Sequence, residues 1–252
     1  MRKIDNMSTT IAFTNHKGGV GKTATVASIG AILASYRKKV LMVDLDTQAN
    51  LTMHFLEDIP SRIIYHAIRE RKDLPIVSIR DNLDLVPSGL DMAGIVSEMT
   101  LMKRREYIVR DLLDPHKEEY DFILIDCPPN LELVTTNALA AADRIIVPMR
   151  PDLMSLYGLS MLDRFCADMQ DLAPGIRIDF IFFNCYEKTK VTEAIESDVR
   201  EKYGERVLQT VVRKNVDVSK AAFVYTDIVS FNPGSNGAKD FQALVRELLE
   251  KL

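Results

Sequence analysis

The chain has 252 residues, 47% hydrophobic and 27% charged, with 32 Lys and Arg against 36 Asp and Glu for a net charge of −4. That composition is ordinary for a globular chain and excludes a disordered or fibrous one; at roughly 150 residues per domain, a single α/β domain over 1–252 is the economical organisation. The acidic balance excludes a globally basic nucleic-acid binder, though not a local basic patch. Cys127, Cys166 and Cys185 form no C-x-x-C pair, and the histidines at 16, 54, 66 and 116 form no H-x-x-x-H pair. A reducing, cytoplasmic setting is the expectation. No apolar run approaches the ~20 residues of a membrane span, and Met1–Asn6 lacks a signal-peptide stretch.

In chain order, short β-branched runs alternate with longer helical ones. Ile11–Asn15 reads as a strand, followed by a glycine-rich turn and a helix over Lys22–Tyr36. Val40–Asp44 is a strand apolar enough to be covered on both faces. Helices are expected near 61–71 and 92–113, then a strand at Phe122–Asp126, a helix near 131–142 and a strand at Ile145–Pro148. A helix near 155–171, a strand over Ile176–Phe183 and a helix near 188–203 follow. Such alternation predicts βαβ units and a mostly parallel twisted sheet with helices on both faces. At the end, Ala238, Phe241, Leu244, Val245, Leu248, Leu249 and Leu252 share one helical face, while the charges of the other face cancel. A core-docking helix is therefore expected, because a membrane-surface helix usually has a cationic polar face.

The chemically richest segment is His16-Lys17-Gly18-Gly19-Val20-Gly21-Lys22-Thr23, between the first strand and the first helix. Glycines there let backbone N–H groups close around phosphate oxygens, and the helix N-terminus adds its positive dipole end. Lys22 is placed to reach the β- and γ-phosphates, and the Thr23 hydroxyl to ligate Mg²⁺. The usual G-x-x-x-x-G-K-[ST] pattern fails at His16, and a second lysine, Lys17, stands instead; a second cation makes sense if it too neutralises phosphate.

This segment closely resembles the deviant Walker A motif, K-G-G-x-G-K-T, of the ParA/MinD family of P-loop ATPases. The resemblance extends through Val40–Asn50, similar to the family's D-x-D-x-Q-x-N segment, and Tyr120–Pro129, similar to its Walker B strand. Thr136–Asp143, Asn215-Val216 and Asn232–Lys239 are similar to the ParA branch in particular. What the resemblance implies is a Mg²⁺-dependent, weak ATPase that switches a homodimer. Gly18, Gly19, Val20, Gly21, Lys22, Thr23 and Ala24 would surround the nucleotide, and Lys17 would reach the partner's phosphates. Asp46 would position the attacking water; Thr23, Asp44 and Asp126 would serve the metal; Asn184 would read the adenine edge. On the residues alone, Asp44 or Asp46 could equally be a turn or capping residue, and Asn184 a strand-end cap. Many relatives read P-R-N-V near the adenine, where this chain has Arg213-Lys214-Asn215-Val216.

The resemblance also implies non-specific binding of double-stranded DNA in the ATP state, nucleoid association, and a ParB-like adaptor that stimulates hydrolysis. Between 186 and 220 stand eight basic and seven acidic residues, so charge alone does not predict that binding. Arg213 and Lys214 match the family's basic position, with Lys188 next. About ten residues precede the first strand, which fits a short form without a helix-turn-helix; residues 1–7 would be an extension, with Met7 a second possible start. Stable membrane association is not expected. The alternatives are a MinD-like membrane-surface ATPase, a positioning ATPase for a protein cargo, and an iron–sulfur reductase of the nitrogenase iron-protein type, the last disfavoured by the unpaired cysteines.

Overall fold

The computed structural model describes residues 8–252; the extension over 1–7 and the choice between Met1 and Met7 lie outside the described residues. β1 (Thr9–Phe13) leads through the phosphate loop into α1 (Lys22–Ser35), and β2 (Val40–Asp44) is followed by α2 (Asn50–Phe55) and α3 (Ile64–Glu70). β3 (Val77–Arg80) and β4 (Leu83–Val86) precede α4 (Ile95–Thr100) and α5 (Ile108–Leu113). Then come β5 (Phe122–Asp126), α6 (Leu133–Ala141), β6 (Arg144–Met149), α7 (Leu153–Asp168), β7 (Phe180–Phe183) and α8 (Lys190–Tyr203). α9 (Val216–Phe223), α10 (Ile228–Phe231) and α11 (Asn236–Lys251) close the chain.

The strands form one sheet in the order β3-β4-β2-β5-β1-β6-β7, parallel throughout except for the antiparallel β3–β4 pair. Because successive residues face opposite ways, Ile11 and Phe13 join an apolar layer with α1 and α11 on one face, and Ala12 joins a second layer on the other. Both faces are covered, which is the expected doubly wound arrangement. Phe13, Asp126 and Asp44 lie level across β1, β5 and β2. That register brings the carboxyl ends of three strands to one line beside the loop, the usual ligand position in such sheets.

The expected helix over 92–113 is broken instead: a 3₁₀ turn at Leu90–Gly94, α4, a second turn at Arg105–Tyr107, then α5. The break falls where Arg104 takes a left-handed φ of 52°. The strand expected over Ile176–Phe183 begins only at Phe180, after Asp179 has turned its carboxylate to cap the Ile145 amide at 2.8 Å. The short strands β3 and β4, helix α2 and the closing helices α9 and α10 carry no expectation in the sequence. The terminal helix docks as expected. Ala238, Phe241, Leu244, Val245 and Leu248 are buried, whereas Leu249 and Leu252 at its far end remain exposed. Ser235 starts it by accepting the Ala238 amide at 3.1 Å. Among the described residues no helix is long and apolar enough to cross a membrane.

Phe241 is among the largest fully buried side chains. Phe241→Ala should lower unfolding stability by about 3–5 kcal/mol, read as a drop in the urea midpoint at constant m; a loss under 1 kcal/mol would show that α11 does not close the core.

Candidate nucleotide site

The phosphate loop is built by local stereochemistry. Gly19 and Gly21 hold φ values of 72° and 84°, conformations that disfavour a side chain. Gly21 has a second reason to lack one, since a Cβ there would collide with the Asn184 amide nitrogen. From Gly21 the chain enters α1 with no side-chain cap on its first amides, which leaves the loop and helix end as a cluster of N–H donors suited to an anion.

Neighbouring elements hold the loop in place. Asn15, just beyond β1, donates from Nδ2 to the Pro148 carbonyl at 2.9 Å and accepts the Lys17 amide on Oδ1 at 2.9 Å. Asn184, at the end of β7, donates to the Val20 carbonyl at 2.9 Å while its Oδ1 accepts the Cys185 amide. Its amide braces the loop, the strand-end capping role the sequence left open beside reading an adenine edge. Asn15 was missed in the sequence; a strand-end asparagine ahead of a glycine loop is the signal that would have found it.

Lys22 is buried, with its ammonium only 3.3 Å from the Asn15 carbonyl and 3.5 Å from that of Lys17. Burial lowers its pKa, opposed by the charge of Asp126. Thr23 donates its hydroxyl to Asp126 Oδ2 at 2.7 Å, and Asp126 Oδ1 is buried with no partner among the described residues. Burial raises the Asp126 carboxyl first, and its neighbour Asp44 raises it further. A threonine hydroxyl, an unpartnered buried carboxylate oxygen and an adjoining anion cradle fit a hard cation such as Mg²⁺. Among the described residues no three His, Cys, Asp or Glu side chains form a metal cage.

Asp44 is held more fully than Asp126. Fully buried, it accepts the Thr52 amide at 2.9 Å, the Thr52 hydroxyl at 2.8 Å and the Asp46 amide at 3.1 Å. Its carboxylate ties β2 to α2, the capping alternative the sequence left open beside a place in the metal shell. Asp46 uses one oxygen to accept the Gln48 amide at 3.0 Å and lines a cleft of about 500 Å³ with the phosphate loop, Ala24 and Pro129. Across this cleft stand Val218, Ala222 and the exposed ring of Phe223 on α9, none of which the sequence reading singled out.

Lys17 lies apart from this cleft. Its ammonium contacts both oxygens of Asp152 at 2.8 and 2.7 Å, where Asp152 also caps α7 through the Ser155 amide. The three basic candidates at the β7 end are all paired: Arg213 is forked onto Asp240 with bonds of 2.8 and 2.6 Å, Lys214 meets Glu187 at 3.2 Å, and Lys188 meets Glu193 at 3.5 Å. Arg213 is thus the most firmly held of them.

A strand, a glycine loop and a Lys-Thr helix start, facing an acidic strand end in a doubly wound sheet, define a P-loop nucleotide-binding protein. The family model described as an AAA domain matches residues 8–178. The chain is 33% identical to the chromosome-partitioning ATPase Soj of Treponema pallidum, over 97% of this chain and 98% of that one. It superposes on a plasmid partition protein of Borrelia burgdorferi bound to AMPPNP with a TM-score of 0.85 and 25% identity, covering 97% of this chain and all of that one. A cobyrinic acid a,c-diamide synthase of Mycobacterium smegmatis with bound ADP and magnesium gives a TM-score of 0.84 at 28% identity, covering 97% and 95%. The chain belongs to the ParA/Soj family of partition ATPases.

Asn184→Ala should destabilise the ligand-free protein by about 1–3 kcal/mol, since the Val20 carbonyl loses its buried donor, and weaken ATP and GTP alike in nucleotide titrations. Unchanged stability with a selective loss of ATP affinity would return Asn184 to base reading.

Proposed function

We propose that the chain is a cytoplasmic, nucleoid-associated Mg²⁺-ATPase switch. ATP closes a homodimer that binds double-stranded DNA without sequence preference, and a ParB-like adaptor stimulates hydrolysis and release. The observation that carries it is the set formed by buried Lys22 and the Thr23–Asp126 pair at the mouth of the phosphate loop. Support for the ligands comes from the Borrelia and Mycobacterium structures, which hold AMPPNP and ADP with magnesium.

In this reading Gly18, Gly19, Val20, Gly21 and Ala24 supply backbone around the phosphates, and Lys22 neutralises their developing charge. Thr23 and Asp126 would hold Mg²⁺, which supplies charge stabilisation on the phosphate oxygens when bound. Asp46, with one oxygen fixed by the Gln48 amide, orients the attacking water with the other. Asp44 acts through Thr52, fixing α2 rather than touching substrate. Lys17 is held within its own protomer by Asp152, so a phosphate contact across the dimer requires that pair to open. Exposed Leu153, Met154 and Tyr157 on α7, beside Asp152, support dimer closure over this end of the sheet. For DNA, Lys188 and Lys214 are better placed than Arg213, whose fork Asp240 occupies. The choice of cargo falls to the adaptor.

Lys22→Ala should abolish nucleotide binding in a fluorescent-nucleotide titration; unchanged affinity would remove Lys22 from the phosphates. Asp46→Ala should bind ATP and dimerise yet turn over about a hundredfold or more slowly, and wild-type turnover would place water orientation elsewhere. Duplex DNA binding, followed by anisotropy with no nucleotide, ADP and ATP across a salt series, should strengthen sharply with ATP and weaken steeply with salt. No ATP enhancement would contradict the DNA switch.

A further inference from the structure

At the opposite end of the sheet from the phosphate loop, where β6 and β7 begin, two adjoining clefts of about 330 and 460 Å³ share Arg144, Arg177 and Asp179. Arg110 lines the first, and Arg206 and Lys251 line the second with Glu205. The nucleotide site uses none of these residues.

Two of the three carboxylates here are already committed. Asp143, in the first cleft, accepts the Thr10 amide at 2.8 Å, and Asp179 accepts the Ile145 amide at 2.8 Å. Both staple the starts of strands. The cations are matched by fewer charges: among the described residues Arg110, Arg144, Arg206 and Lys251 form no ion pair, Arg177 reaches Asp179 only at 4.0 Å, Arg110 and Arg206 lie over the Tyr107 and Tyr203 rings at 4.4 and 5.2 Å, and Arg144 donates to the Asp143 carbonyl at 2.9 Å. Arg144, Arg177 and Arg206 all crowd that one carboxylate. By contrast, Arg213, Lys214 and Lys188, the basic residues expected at the surface for DNA, are each paired with a carboxylate. In a chain with a net charge of −4, this is a localised excess of positive charge. Its guanidinium forks match phosphate oxygens in pairs, and their spread over two joined clefts suits a row of phosphates better than one small anion.

We propose that this basic cleft contacts the phosphodiester backbone of duplex DNA, as a surface separate from the Lys188–Lys214 region. The choice of ligand rests on the DNA-binding reading above; the location does not. Because the cleft lies at the far end of the strands from the phosphate loop, closing a dimer across the loops leaves it facing outward. It therefore holds DNA weakly whether or not nucleotide is bound, and ATP adds to that basal contact rather than creating it.

The test is anisotropy of a labelled short duplex with full-length protein, without nucleotide and with ATP, across a salt series. Arg177→Glu/Lys251→Glu reverses two exposed charges, and Arg206→Gln supplies a milder second variant; Lys188→Glu marks the other surface. Without nucleotide, the double variant should lose roughly tenfold in affinity and about 2 from the log–log salt slope, Arg206→Gln should fall between, and Lys188→Glu should match wild type. ATP affinity and turnover without DNA should be unchanged in all of them. Wild-type affinity and slope in the double variant would overturn the proposal, as would competition by poly-glutamate equal to that by unlabelled duplex, which would assign the cleft to an acidic protein segment. If ATP fails to strengthen binding while the cleft variants still lose the basal contact, the switch reading fails and the cleft stands. ATP enhancement with intact basal binding in the cleft variants gives the reverse.

Discussion

Asp44 and Asp126 sit level at the ends of neighbouring strands, both fully buried, with Lys22 buried beside them. Concentrating charge in this way opposes folding, because a buried carboxylate without compensation is costly. The rest of the site can be understood as managing that cost. Three donors from Thr52 and Asp46 settle Asp44, whereas Asp126 has only the Thr23 hydroxyl and keeps an unpartnered oxygen. One carboxylate has become structure. The other is left for a ligand.

The same division runs through the loop. Asn15 and Asn184 spend their amides on backbone groups to hold the glycines in shape, and Asp152 holds Lys17 away from the cleft. Rigid support surrounds a few groups whose hydrogen-bonding capacity is unfilled, which is how a protein presents a preformed site for phosphate and cation without building a closed metal cage.

Much of this was legible in the sequence, for physical reasons that differ by element. β1, β2, β5 and β6 are continuous apolar runs covered on both faces, and α1 follows a glycine loop whose composition has few other uses; both signals are local. β3 and β4 were not legible because each is only four residues long, with Ser78, Arg80 and Asp84 alternating with apolar residues. The segment over 92–113 has helical periodicity from Met92, Ile95 and Met99 through Ile108 and Leu112, but a left-handed Arg104 interrupts it. At the site, residue types were readable and partners were not. Nothing near Asp44 announces Thr52, and nothing near Lys17 announces Asp152, 135 residues away. Likewise, Arg144, Arg177, Arg206 and Lys251 are scattered along the chain, and only the parallel sheet gathers them.

In the proposed switch, Asp126 is kept under electrostatic tension for a cation that arrives with nucleotide. Its carboxyl is raised by burial and by Asp44, so deprotonating it in the folded state costs stability that accumulates as pH rises above the ordinary carboxylate range. The most direct measurement is thermal unfolding of Asp126→Asn and wild type at neutral pH, each alone, with ATP, and with ATP plus Mg²⁺. Asp126→Asn should melt higher than wild type when ligand-free and lose the extra stabilisation that Mg²⁺ adds to ATP. A variant that melts lower when ligand-free and keeps the full Mg²⁺ increment would contradict this role of Asp126.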